Sequence, residues 1–142
     1  METQQLHRGR LIDHIQLVVR DLPASRAFYS SIFAVLNVPL GGAGDDYFWF
    51  DELFVSSADS RAAQGRLTGR QHLAFQAADR AMVDGFYQAA LDAGGNDNGG
   101  PGERSYHPGY YAAFVLDPDG NNIEAVFHGT AQRSAPSVSI TF

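Results

Sequence analysis

Residues 14–29 read HIQLVVRDLPASRAFY, and residues 72–87 read HLAFQAADRAMVDGFY. Both obey H-x6-D-x6-F-Y, so His14, Asp21, Phe28 and Tyr29 recur as His72, Asp79, Phe86 and Tyr87 in a constant register of 58 residues. A repeat of this kind is read first, because it decides the architecture. Each copy opens on a strand. Ile15, Leu17 and Val19 alternate onto one face, as do Leu73, Phe75 and Ala77. An Asp able to start a helix follows each strand, with Pro23 suited to a first helical turn. Ala24, Phe28, Ile32 and Leu36 then fall at helical spacing. So do Val83, Phe86, Tyr87, Ala90 and Leu91, before Gly94-Gly95 ends the pattern.

Strand-like segments follow each helix. In the first copy they are NVPL, DYFWFD and ELFVSSA. In the second, YYAAFVL and NNIEAVFH flank DPDG, a hairpin signal. Each half therefore reads β-α-β-β-β, which predicts an α+β chain of two modules, 11–57 and 70–128, within a single domain over 1–142. Residues 58–69 read as a linker and Gly94–Gly102 as a loop. The C-terminal SVSITF alternates and is expected to add an edge strand or cross to a partner.

Bulk composition bounds the function. The chain has 142 residues, enough for one continuous core, and its net charge is -6. All ten basic residues are Arg and no basic run exists, which argues against nucleic acid and against an acidic membrane surface. Cys is absent, excluding disulfides and thiolate metal sites. The polar start METQQLHRGR has no apolar signal core, and no apolar run is long enough to span a bilayer, so a cytoplasmic location is expected.

Strand parity singles out three residues. If Ile15, Leu17 and Val19 face the core, His14 and Gln16 face the other side. Likewise His72 and Gln76 oppose Leu73 and Phe75, and Glu124 and His128 oppose Ile123, Ala125 and Phe127. Two imidazoles and a carboxylate suit one divalent cation among Fe, Mn, Ni and Zn, with positions left open for a substrate. Singly, each has a plainer reading as a hydrogen-bonded or solvated side chain. The repeat register is what joins them.

DHIQLVVRDLPASRAFY, RQHLAFQA and FVLDPDGNNIEAVF together resemble the vicinal oxygen chelate superfamily, which includes glyoxalase I, fosfomycin-resistance metalloenzymes, extradiol dioxygenases and bleomycin-binding proteins. The resemblance runs from about residue 11 to 128 and implies paired βαβββ modules forming a cupped mixed sheet around a cavity, helices outside. It implies metal binding by His14, His72 and Glu124, a small-molecule substrate and a homodimer. It does not say whether His14 joins Glu124 of its own chain or of a partner. Glyoxalase I takes a further Glu from the last strand of the first module. Here Phe54 or Ser56 falls on that slot, and Glu52 would serve only with a slipped register. His107, Asp117, Pro118, Gly120 and Glu124 match an extradiol pattern, with Phe114 where that pattern has Tyr. His107 and Tyr110 are thus candidate proton-handling groups, and Gln16, Gln76, Phe54 and Phe114 candidate substrate contacts. The function implied is a metal-dependent lyase, isomerase or extradiol-type dioxygenase acting on a small oxygenated substrate held through two oxygens. The alternative is a metal-free binding protein of the bleomycin-resistance type, for which Phe48, Trp49, Phe50 and Tyr110 offer aromatic surface.

Overall fold

The structure is a computed structural model and describes residues 5–142. In chain order its elements are β1 (Gln5–Arg8), β2 (Ile15–Val19), α1 (Leu22–Val35), β3 (Gly42–Ala43), β4 (Tyr47–Phe50), β5 (Leu53–Ser57), β6 (His72–Gln76), α2 (Arg80–Asp92), β7 (Asn96–Asp97), β8 (Gly102–Glu103), β9 (Tyr111–Leu116), β10 (Asn122–Phe127) and β11 (Val138–Thr141). The class is α+β, with mixed sheets and two helices, as the repeat predicts. Two compact units form. Of the described residues, one holds 5–22, 38–68 and 133–142, and the other 23–37 and 69–132.

In the first unit a four-stranded sheet has the order β2-β5-β4-β3. Strand β2 pairs parallel with β5, and β5 pairs antiparallel with β4. Alternation places Leu53 and Val55 in the core, with Phe48 and Phe50 beside them on β4. NVPL forms no strand. The third strand begins later, at Gly42, because the chain needs Gly41 where the Trp49 ring lies: a Cβ on Gly41 would come within 2.2 Å of that ring. The linker 58–69 folds back on the sheet, where the Thr68 hydroxyl accepts from the Val18 amide at 3.2 Å. The C-terminal alternation is a strand, as expected. Its partner is β1, in an antiparallel ribbon pairing Gln5 with Thr141.

In the second unit the order is β6-β10-β9-β7, with β8 also on β9. Strand β6 runs parallel to β10, and β10 antiparallel to β9. The sheet thus repeats the topology of the first, with a parallel strand at one edge and a hairpin next to it. Strands β7 and β8 lie in and just beyond the segment read as a Gly-rich loop. Helix α2 starts as predicted: the Asp79 carboxylate caps it by accepting from the Met82 amide at 2.7 Å, a device worth about 1 kcal/mol. Val83, Phe86 and Ala90 of α2 are wholly buried.

Helix α1 also belongs to this unit. Its Phe33 ring meets Phe75 of β6 at 4.9 Å, and its Tyr29 hydroxyl donates to Asp117 at 2.5 Å. Asp117 is buried and also accepts from the Asp119 and Asn121 amides and from Asn121 Nδ2. One carboxylate therefore closes the DPDG turn and ties it to α1. Burial, and next the Asp117 charge, push the Tyr29 phenol well above its usual range. Among the described residues no helix is long and apolar enough to cross a membrane.

Candidate metal centre

Parallel pairing sets the ladder so that Asn122 opposes His72 and Glu124 opposes Ala74. Glu124 is 2% exposed, although it sits on the face that parity assigns away from Ile123 and Ala125. A buried carboxylate must be paired, and this one has two partners. The His72 Nε2 atom lies 3.1 Å from Oε1, and the Tyr110 hydroxyl donates to Oε2. Phe114, directly across the hairpin from Glu124, stacks with the His72 ring at 6.1 Å and has the Arg104 guanidinium 5.3 Å above its own ring.

The protons of this cluster are constrained. His72 Nδ1 lies 2.9 Å from the Asn122 carbonyl, which can only accept, so Nδ1 donates. A neutral ring of that tautomer turns a bare Nε2 lone pair toward the Glu124 carboxylate, a repulsive contact unless a proton or a cation intervenes. The donor set fits a cation. Two ligands each about 2.1 Å from one ion at a right angle are about 3.0 Å apart, close to the observed separation. A carbonyl behind the ligating imidazole is also the usual way its orientation is fixed. Tyr110 stays protonated. Desolvation, and then its bond to Glu124, push the phenol up to about 12, so at neutral pH it is a donor and not a base.

His107, expected near the reacting atoms, bonds elsewhere. Its Nε2 is 2.8 Å from His128 Nδ1, and its Nδ1 donates to the Pro108 carbonyl at 2.9 Å. Tyr110 sits edge-on to both rings, 5.3 Å from each. Gln76 shares the parity of His72 but is exposed, about 13 Å further along β6 at strand rise.

His14 lies in the first unit, just before β2, with its side chain 63% exposed. Its Nδ1 donates to Asp13 at 2.7 Å. That bond, with help from Arg8, holds the Asp13 carboxyl below its usual value. A carboxylate behind Nδ1 leaves Nε2 as the ligating atom. His14 borders a cleft of about 240 Å³ with Leu6, Arg8, Trp49, Asp51 and Phe54. Burial raises the Asp51 carboxyl above its normal value. Gln16 donates to Ser56 at 2.9 Å, and Phe54 stacks on Tyr47 at 5.3 Å. Among the described residues, no three His, Asp or Glu side chains gather closely enough to hold an ion. The structure brings His72, Glu124, Tyr110 and Phe114 together, and places His14, Gln16 and Phe54 in the first unit.

Register settles which residue of the first copy corresponds to Glu124. Leu73 follows His72 and pairs with Ile123; Ile15 follows His14 and pairs with Leu53. One residue on, Glu124 corresponds to Phe54, and across each hairpin Phe114 corresponds to Trp49. Glu52 stands two positions earlier, in the turn, where burial raises its carboxyl pKa.

A family model for the Glyoxalase/Bleomycin resistance protein/Dioxygenase superfamily matches residues 11–125. The chain belongs to this superfamily. Solved structures agree on the superfamily's fold. A glyoxalase/bleomycin resistance protein from Albidiferax ferrireducens T118 is 25% identical, with a TM-score of 0.68 over 82% of this chain and 97% of that one. A glyoxalase-related enzyme from Fulvimarina pelagi is 19% identical, TM-score 0.65, over 89% and 99%. A lactoylglutathione lyase from Agrobacterium tumefaciens is 21% identical, TM-score 0.60, over 83% and 93%. No curated protein matches the chain. The superfamily includes lyases and dioxygenases, which accords with a site built around an imidazole and a buried carboxylate. Beside His72, sequence reasoning missed Asn122, whose carbonyl orients the ring, and gave no role to His128, whose shared parity with Glu124 was its signal. Within the first unit it missed Asp13, whose carboxylate accepts from His14 Nδ1.

Proposed function

We propose that this superfamily member is a metal-dependent enzyme acting on a small substrate that offers two neighbouring oxygens. The observation that carries the reading is the His72–Glu124 pair: an imidazole Nε2 and a buried carboxylate oxygen, 3.1 Å apart, with the other ring nitrogen already committed to the Asn122 carbonyl. His72 and Glu124 supply two ligands. His14, primed by Asp13, supplies the third, from the same chain or from a second copy in a homodimer. When bound, Fe, Mn, Ni or Zn would polarise the substrate oxygens. Asn122 and Asp13 hold the two imidazoles in their ligating tautomers. Tyr110 keeps its proton and hydrogen-bonds Glu124, so it can donate toward oxygen beside that carboxylate. Phe114 stacks against His72 and excludes water from that side. The superfamily's breadth admits lyase, isomerase and dioxygenase chemistry, and the resident metal separates them: Fe favours oxygenation, Zn or Ni isomerisation or elimination.

Elemental mass spectrometry of tag-free protein tests this, alongside His14→Ala, His72→Ala and Glu124→Ala. The expected result is near one divalent ion per chain in the parent and loss in each variant. A parent that stays metal-free after reconstitution with Fe, Mn, Ni and Zn overturns the proposal. One observation favours a second reading, a binding protein of the bleomycin-resistance type: Trp49 and Phe54 give the His14 cleft an aromatic wall. That reading predicts tight binding of a flat apolar ligand by protein stripped of metal.

A further inference from the structure

We infer that His107 and His128 form a second divalent-metal site, separate from His72 and Glu124, for a cation that prefers nitrogen ligands such as Cu²⁺, Ni²⁺ or Zn²⁺. The two rings lie at 22° to one another, with Nε2 of His107 and Nδ1 of His128 facing each other at 2.8 Å. At that gap the nitrogens share an N–H···N hydrogen bond, and a turn of each ring off the line between them would let both nitrogens reach one ion at about 2.0 Å. His107 is set up as His72 is: its Nδ1 donates to a backbone carbonyl, that of Pro108, and Nε2 is left as the ligating atom. His128 would also move its proton from Nδ1 to Nε2, a change of tautomer with no net loss of a proton.

The backbone holds the pair in place. Gly109 and Gly129 follow the two histidines closely, and both have positive φ, 86° and 79°. A Cβ on either would come within 3.3 Å of the other's Cα. A side chain on either would be strained at its positive φ and crowded at this spacing, so the two glycines favour the close approach of the 104–110 loop to the segment just after β10, which brings the imidazoles together. Both histidines are exposed, so a bound ion can complete its shell with water. Two imidazoles without a carboxylate favour Cu²⁺ over its neighbours in the first transition row. The residues and the donor set differ from those of the first centre, so the inference stands independently of the proposed activity.

Titration of the metal-stripped 142-residue chain with CuCl2, followed by calorimetry and electron paramagnetic resonance, tests it. The parent is compared with His107→Ala/His128→Ala and with His72→Ala/Glu124→Ala. The His107→Ala/His128→Ala variant (the rim variant, after the exposed position of the pair) should bind one Cu²⁺ fewer per chain than the parent, and the His72/Glu124 variant should keep that ion with its two-nitrogen signature. Equal Cu²⁺ stoichiometry in the parent and the rim variant would overturn the inference. So would loss of the same ion in the His72/Glu124 variant, which would assign it to the first centre. Both rim residues are exposed, and circular dichroism verifies that their replacement leaves the fold unchanged.

Discussion

Phe54 and Glu124 occupy the same place in the two copies of the repeat, each one step beyond the residue paired with the first core position of its parallel strand. One copy therefore carries a buried carboxylate against His72, and the other an aromatic ring bordering the cleft beside His14. This asymmetry within a symmetric frame shapes the expectations that follow.

Phe54 makes no ligand, so Phe54→Ala should leave the metal content of the protein unchanged. It removes a half-buried ring stacked on Tyr47 and should cost about 1–2 kcal/mol, less than a fully buried Phe. Elemental analysis and urea denaturation check the two halves separately.

Tyr110→Phe deletes the hydroxyl that donates to Glu124 and leaves the ring packing. Loss of such a supporting hydrogen bond should weaken metal affinity about 10–100-fold. Competition against a chelator of known affinity measures it. An unchanged affinity would mean that the phenol does not support the carboxylate.

The same phenol sets an alkaline dependence. Its folded value, about 12, lies above its ordinary 10.0. Between these values the folded chain binds more protons than the unfolded chain, so stability falls as pH rises. The contribution is complete below about pH 10 and is lost as pH passes through the folded value. In metal-free protein, the parent-minus-Tyr110→Phe difference in ultraviolet absorbance should show a phenolate forming only near pH 12. A midpoint near 10 would contradict a partly buried phenol that donates to Glu124.

Tyr29→Phe should destabilise the chain by about 1–3 kcal/mol, because the buried Asp117 carboxylate loses one of four donors. Thermal unfolding reads this, and metal content should stay unchanged.

Much of this was legible in the sequence, for physical reasons. Period-two alternation marks β2 and β6, because successive side chains of a strand point to opposite faces. Asp79 announces the start of α2 through its cap, and DPDG announces the turn that Asp117 closes. His72 and Glu124 were visible as partners because parity and repeat register act along the chain. What lay hidden depends on contacts distant in sequence. Strand β1 is polar and exists through its pairing with β11, 130 residues on. The second strand of the first module was misplaced at NVPL because only the position of Trp49 shows why the chain must reach Gly41 first. His107 read as a partner of the reacting atoms, yet the Gly109–Gly129 approach turns it toward His128. Register also decided between Phe54 and Ser56, since the slot is fixed by pairing and not by spacing from a motif.

The most direct test of the central claim is anomalous diffraction at the metal edge from crystals reconstituted with Fe, Mn, Ni or Zn. The account predicts a peak within about 2.1 Å of both His72 Nε2 and Glu124 Oε1, with His72 Nδ1 still on the Asn122 carbonyl. A peak elsewhere, with His72 and Glu124 still in direct contact, would contradict it.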